Sequence, residues 1–211
     1  MEKEKKSYKK NNDISLKRKE EIVLACEKLY KKMSFSDITI KDIAKETTFT
    51  RASIYNYFET KEEIFLALYE KEYYIWASDL EEILMSVKKF TRASFADKIA
   101  KTLEKRIMLL KLMAMNNYDM EEHSRLECLT SFKVAYLKTI DLFSRLLSKF
   151  NPLLTKKEID DIIYMFYPFI YALYPYSHVT KKQMMAMEKA GHKWRGNTIY
   201  QLTYKFIYKI L

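Results

Sequence analysis

TIKDIAKETTFTRASIYNYFETKEEIF, residues 39–65, contains two short amphipathic helices, a tight turn and the start of a third helix. Asp42 follows Thr39 by three positions, and Ile40, Ile43 and Ala44 then recur at helical spacing. That is a capped helix start with an acid in its first turn. The run Thr47-Thr48-Phe49-Thr50 breaks the pattern, and Thr50 can cap a new helix from Arg51. Thr60-Lys61-Glu62-Glu63 then has the Ser/Thr-x-x-Glu form of a capping box. Helix, short turn and short exposed helix follow the order of a helix-turn-helix, whose second helix enters the DNA major groove.

The surrounding composition favours helices. Only 2 Gly and 3 Pro occur in 211 residues, so few breakers interrupt the chain and an all-α fold is expected. The length suffices for one large or two small domains with a real core. The formal charge of +10 invites a polyanionic partner. Its placement is uneven: residues 1–19 carry 8 basic and 3 acidic side chains, whereas residues 20–61 balance at 7 against 7. The surplus lies in the leading residues 1–19, of which the basic arm 1–13 is expected to be disordered. That arm reads either as a phosphate-binding element or as a solvated tail.

Several function classes find no support. His123, His178 and His192 lie far apart without ligand spacing, so no metal site is expected. Gly191 and Gly196 cannot form a Gly-rich phosphate loop, and no nucleophile elbow or Cys/His nucleophile pattern occurs. The chain therefore reads as a non-enzyme without a cofactor. Cys26 and Cys128 stand singly in apolar helical patterns, as buried reduced thiols do. A charged N-terminus and the lack of ~18 consecutive apolar residues argue against a signal peptide or membrane span. A cytoplasmic location without membrane partners is expected.

Upstream of the quoted stretch, Asp13 or Ser15 can cap a first helix to about Lys32, with Ile22, Ala25, Cys26, Leu29 and Tyr30 on one face. Phe35, Ile38, Ile43, Phe49, Ile54 and Phe58 complete the core of a three-helix domain. Leu16 to Leu68 resembles the DNA-binding domain of the tetracycline-repressor (TetR) family of bacterial transcription regulators. The likeness is carried by Phe35, Thr39-Ile40-Lys41-Asp42-Ile43-Ala44, Thr50, Ile54-Tyr55-Asn56-Tyr57-Phe58 and Lys61-Glu62-Glu63-Ile64-Phe65. It departs at Ser34, Thr48 and Ala52, where the family often carries Gly. Thr48 asks a β-branched residue to occupy the turn, in a conformation expected to be less favourable.

The second motif helix spans about seven residues, so few side chains reach bases. Arg51 is placed for a bidentate contact to guanine or a phosphate clamp, with Thr50, Ala52 and Ser53 beside it. Tyr55 and Tyr57 can donate to phosphates, and Asn56 can do so or read adenine. Thr39 and Lys41 would face flanking phosphate. The resemblance implies backbone contacts for Tyr55 and Lys61. So few contacts call for two half-sites, hence a homodimer on double-stranded operator DNA.

The remainder divides the chain into the arm 1–13, a DNA-binding domain 14–60 and a helical domain 61–211. Expected helices run about 61–89, 95–105, 107–118, 125–150, 155–174, 181–189 and 197–211. The resemblance implies an effector pocket and a dimer interface in this last domain. Residues 95–176 are rich in Met and aromatics, which form either plain core or an apolar pocket. Candidate lining residues are Met108, Leu112, Met115, Asn116, Phe132, Tyr136, Phe166, Tyr167 and Ile170. Ile199, Leu202, Phe206 and Ile210 form a candidate dimer face. The expected function is a ligand-responsive regulator, a repressor released from a palindromic operator by a small apolar or amphipathic effector. The alternative is a DNA-binding protein without a ligand whose C-terminal domain binds a partner protein.

Overall fold

The computed structural model describes residues 2–115, 117–193 and 196–211, with side chains from residue 13 onward except that of Asn117. Its helices are α1 (Glu2–Tyr30), α2 (Ile40–Lys45), α3 (Arg51–Ile54), α4 (Lys61–Ser86), α5 (Arg92–Lys105) and α6 (Ile107–Met113), then α7 (Asn117–Glu122), α8 (Leu126–Phe150), α9 (Lys156–Ser177), α10 (Lys181–Lys189) and α11 (Ile199–Ile210). No strand occurs among the described residues. Threonine starts many of the helices. Thr39, Thr91, Thr155, Thr180 and Thr198 each cap a helix in a reciprocal box with the residue three positions on.

Contacts group the chain into two compact units. The first comprises Met1–Glu70 with Asn117–Phe132, and the second Lys71–Asn116 with Lys133–Leu211. In the first unit, Ile22, Cys26, Tyr30, Ile38, Ile43, Ile54 and Phe58 are buried, as the apolar spacing requires. Phe65 is fully buried too and meets Tyr30 and Phe35 edge-on, with ring centroids 5.1 and 4.7 Å away. Burial pushes the Cys26 thiol pKa well up, so it stays a neutral core group.

The second unit is built around Trp76, fully buried, whose Nε1 donates to Thr102 Oγ1 at 3.1 Å. Arg106 binds Asp79 through two hydrogen bonds of 2.6 and 2.7 Å. Lys149 Nζ donates to the Leu84 carbonyl at 2.6 Å, near the end of α4. Tyr200 of α11 donates to Asp97 of α5 at 2.8 Å. α10 buries none of its residues.

Four element boundaries differ from expectation. α1 begins at Glu2, because the leading residues are mostly Lys and Glu, strong helix formers with no Gly or Pro between them. The expected helix 107–118 is instead α6 and a separate α7, and α7 extends into the expected gap between residues 118 and 125. α3 is a single turn: after Ile54 the chain continues through bonds from Asn56 N to Ser53 O and Tyr57 N to Ile54 O, a tighter pattern. α9 runs through Pro168 and Pro175 to Ser177. Each proline removes one backbone donor; around Pro168 the buried Ile163, Phe166, Tyr167, Ile170 and Leu173 keep the helix continuous, and beyond Pro175 it runs on for only two residues.

The turn between α2 and α3 resolves the missing glycine. No described non-glycine residue has a positive φ, so Thr48 occupies ordinary backbone. Glu21 of α1 holds it: its Oε1 accepts from Thr48 N at 2.7 Å and from Thr48 Oγ1 at 2.9 Å. Replacing Glu21 by Ala should therefore cost about 1–2 kcal/mol, the loss of a charge-assisted pair of bonds. Thermal unfolding measures this, with Glu20→Ala as the exposed control expected to shift stability by less than ~0.5 kcal/mol.

Candidate nucleic-acid interface

α3 presents the polar surface that the motif promised. Ile54 and Phe58 are buried behind it, while Arg51, Ala52, Tyr55 and Asn56 are exposed. Thr50 is the N-cap: its side chain accepts from Ser53 N at 3.2 Å, and its hydroxyl lies 2.9 Å from Ser53 Oγ. Ser53 is half-buried, so its hydroxyl serves the cap first. Arg51 Nη2 donates to the Tyr55 hydroxyl at 3.1 Å, one helical turn on, and the guanidinium lies 5.7 Å from that ring's centroid. The two side chains therefore form one exposed unit, pre-ordered before any partner arrives.

Thr39 and Lys41 are exposed at the start of α2. The Thr39 hydroxyl donates to Asp42 Oδ2 at 2.6 Å and accepts from Asp42 N at 3.2 Å. That hydrogen bond, with one from Lys45, holds the Asp42 carboxyl below the ordinary carboxylate range. Lys61 is half-buried; its ammonium donates to the Phe35 carbonyl at 2.9 Å and sits 4.0 Å above the Phe35 ring. Lysine carries three N–H donors, so this anchor fixes the group while leaving donors for a phosphate.

Two residues outside the quoted stretch contact this segment: Arg18, at the Tyr57 hydroxyl, and Arg125, at Glu63 and the Tyr57 carbonyl. Arg18 of α1 donates from Nη1 to the Tyr57 hydroxyl at 3.1 Å and lies 5.7 Å from the Phe49 ring centroid. It brings a cation from the basic leading helix beside Tyr57 and Phe49. Periodicity marks Arg18 only as one solvated residue among many, so no local signal could have selected it.

Arg125 is the second. Glu63 is almost wholly buried, and four hydrogen bonds satisfy its carboxylate. Arg125 Nε and backbone N donate to Oε1 at 2.7 and 3.0 Å, Arg125 Nη2 to Oε2 at 2.9 Å, and Glu59 N to Oε2 at 2.7 Å. Arg125 Nη2 also donates to the Tyr57 carbonyl at 3.3 Å. The capping box at Thr60 is thus altered: Thr60 Oγ1 accepts from Glu63 N, but the Glu63 carboxylate reaches back to Glu59. Burial alone would raise the Glu63 pKa. The bonds from Arg125 and Glu59 outweigh it and hold the carboxyl below its ordinary value, while the same pairing raises Arg125.

Family models match both halves of the chain. Residues 19–68 match the model for bacterial regulatory proteins of the tetR family, and residues 70–194 match a tetracyclin repressor-like C-terminal domain. The chain belongs to the TetR family of transcriptional regulators. Its N-terminal portion is the family's helix-turn-helix DNA-binding domain, followed by a helical C-terminal domain. No curated protein matches the chain significantly.

The candidate pocket residues fall in several environments. Leu112, Phe166, Tyr167 and Ile170 are buried, and Met108, Met115 and Tyr136 are half-buried. Tyr136 and Tyr167 meet edge-on at 5.3 Å, and Tyr167 shares a 2.7 Å hydrogen bond with Thr139. Phe166 stacks on Phe143 at 4.3 Å. Phe132 lies in the first unit, against Tyr69 at 4.8 Å, and Asn116 lies outside the described residues. On α11, Ile199 is buried with Thr203 and Ile207, so it belongs to the inward face. Leu202, Phe206 and Ile210 are half-buried, and Phe206 stacks on Phe169 of α9 at 3.9 Å. The helical period separates 199-203-207 from 202-206-210: the first set is buried, while the second is half-buried with Phe206 against α9.

Among the described residues, no group of three or more His, Cys, Asp or Glu could hold a metal ion, and no helix is long and apolar enough to cross a membrane.

A carboxyl with a depressed folded pKa stabilises fully above its unfolded pKa, about 4.3 for Glu, and loses that contribution as pH falls through the folded value. Glu63 should contribute this way, so stability should decline with acid below about pH 4.3. Glu63→Gln should start less stable at pH 7 by roughly 2–4 kcal/mol, because a paired buried charge is removed while Arg125 keeps part of its solvent. Its decline below pH 4.3 should be shallower than that of the wild type, as measured by denaturant unfolding at several pH values.

Proposed function

We propose that this regulator is a homodimeric repressor that holds a palindromic operator through α3 and leaves it when a small apolar or amphipathic molecule binds the C-terminal domain. The observation that carries the DNA half of this reading is the exposed set Arg51, Ala52, Tyr55 and Asn56 on and just after α3, with Ile54 and Phe58 turned into the core. Arg51 serves as the base-reading or phosphate-clamping cation, and Ala52 and Ser53 lie close enough for a methyl and a hydroxyl contact. Asn56 reads adenine or binds phosphate. Tyr55, Tyr57, Thr39, Lys41 and Lys61 position the domain on the backbone, with Thr50 setting the start of the helix. Such a protein works where DNA is, in the cytoplasm.

A one-turn reading helix carries too little base contact for tight specificity by itself, which favours two copies on two half-sites. Leu202, Phe206 and Ile210, beside Phe169 on α9, offer apolar surface that the protomer covers only in part. The effector reading is supported by hydroxyl groups set among rings in the C-terminal domain: Tyr136, Tyr167 and Thr139, with Tyr73 and Tyr171 hydroxyls 3.3 Å apart. By linkage, an effector acts only if it prefers the conformation that fits the operator less well. One observation favours the alternative of a partner-binding domain without ligand. Phe166 and Tyr167 already have a stacking and a hydrogen-bonding partner within the core.

Selection of duplexes from a random library by the purified protein, followed by a screen of apolar and amphipathic compounds for release, separates these readings. An enriched palindrome with compound-driven release supports the first, and an enriched palindrome that nothing releases supports the alternative. On the selected duplex, Arg51→Ala should cost ~1–3 kcal/mol and relax preference at one base pair of each half-site. Unchanged affinity and preference would remove Arg51 from the readout. Sedimentation at micromolar concentration should give a dimer for the wild type and a monomer for Phe206→Asp with helicity retained by circular dichroism. A monomeric wild type would sink the homodimer.

A further inference from the structure

We propose that Arg125 is a positioning residue for operator binding, ordering the exit of α3 from the corner between α7 and α8. This rests on the reading of α3 as the DNA-contacting helix. The reading helix is short, and the chain between Ile54 and Lys61 is neither in α3 nor in α4. Its backbone groups therefore need partners from elsewhere. Arg125 provides them at both ends of the link. It donates directly to the Tyr57 carbonyl, and it locks the Glu63 carboxylate that accepts from Glu59 N. Thr60 Oγ1 donates to the His123 carbonyl at 2.9 Å, a third tie between the same two segments.

The sequence position of Arg125 gives these ties their significance. Residues 117–132 lie within the stretch matched by the C-terminal family model, yet they pack in the first unit with the DNA-binding domain. Ser131 Oγ donates to Glu70 at 2.7 Å and Phe132 meets Tyr69, so the association extends along the start of α8. Arg125 stands one residue ahead of α8, and from Lys133 onward that helix belongs to the second unit. A shift or rotation of α8 therefore moves the guanidinium that holds Tyr57 and Glu59. α4, also shared by both units, is then one of two helices whose position bears on α3.

The test compares wild type with Arg125→Lys and with the double variant Glu63→Gln/Arg125→Met. The double variant removes both charges together and so avoids a buried unpaired carboxylate. Lysine keeps a charge beside Glu63 but cannot reproduce the planar fork that serves Glu63 and Tyr57 at once. The probes are a duplex selected by the wild type from a random library and a scrambled duplex of equal length. They are titrated by fluorescence anisotropy well below each variant's unfolding temperature. Both variants should lose about tenfold in affinity for the selected duplex, since ordering supplied by one hydrogen bond must then be made good on binding. Affinity for the scrambled duplex should fall much less, because the phosphate contacts of Thr39 and Lys41 lie outside the loosened segment. A purely structural role would lower the unfolding temperature and leave the ratio of the two affinities alone. Folded variants that keep the wild-type ratio overturn the proposal. A wild type that selects no duplex overturns the DNA reading of α3 and this proposal with it.

Discussion

A carboxylate that gives up nearly all contact with water must find donors, and Glu63 finds four. That requirement organises the junction where α3 ends, α4 begins and α8 approaches. An unpaired buried charge would cost several kcal/mol, so the fold is committed to keeping Arg125 within reach. Arg125 in turn stands between Glu63, the Tyr57 carbonyl and the more exposed Glu59 and Glu127, whose carboxylates lie 3.5 and 3.4 Å from Nη1. A guanidinium suits this place because its fork can serve one carboxylate in parallel and still offer an N–H to a carbonyl. The pair is better understood as a constraint on geometry than as a source of stability, since two well-packed apolar residues could match its energy but not its directionality.

What was legible in the sequence follows the range of the interactions involved. Thr39, Thr50 and Thr155 cap helices with partners three residues away, and apolar spacing put Ile22, Cys26, Ile43, Ile54 and Phe58 in the core. Each of these depends on neighbours along one helix, which the 3.6-residue period reveals. Arg18, Glu21 and Arg125 act at separations of 39, 27 and 62 residues, and nothing in their immediate surroundings distinguishes them from solvated charges. The two faces of α11 were ambiguous for a related reason. Both sets have helical spacing, and only the packing of the folded unit decides that Ile199 points inward. Around Pro175 local chemistry predicted the helix end three residues too early, whereas at Pro168 the expected helix already ran on, as the buried row from Ile163 to Leu173 requires.

Charge tells a similar story about the helix-turn-helix domain. Residues 20–61 are electrically balanced, so net charge alone would not identify them. The structure shows where the balance goes. Glu21 is consumed by the Thr48 turn, Asp42 by the Thr39 cap, and Glu46 pairs with Lys28 at 2.5 Å. These acids are engaged in holding backbone and neighbouring cations. Arg51, by contrast, is turned outward beside Tyr55, and Arg18 adds a guanidinium from α1. A neutral count can therefore coexist with outward-turned cations, because the local field is set by which charges are already paired.

The boundary between the two family matches falls near residue 69, inside α4, and α4 runs on unbroken to Ser86. A helix has no natural seam, because its hydrogen bonds pass from each turn to the next without regard to what its side chains bury. Contacts draw a different outline, with 117–132 grouped beside residues 1–70. The two outlines answer different questions: the family match follows the chain, while burial follows the side chains. Where they disagree, a segment of one half of the sequence has become part of the other half's core. In this protein that segment carries the donor on which Glu63 depends, so the DNA-binding unit is incomplete without residues that follow it by more than fifty positions. Residues 19–68 expressed alone would leave Glu63 buried without Arg125, or exposed with its link to Tyr57 and Glu59 undone. Either way the exit of α3 loses the partners that give it one conformation.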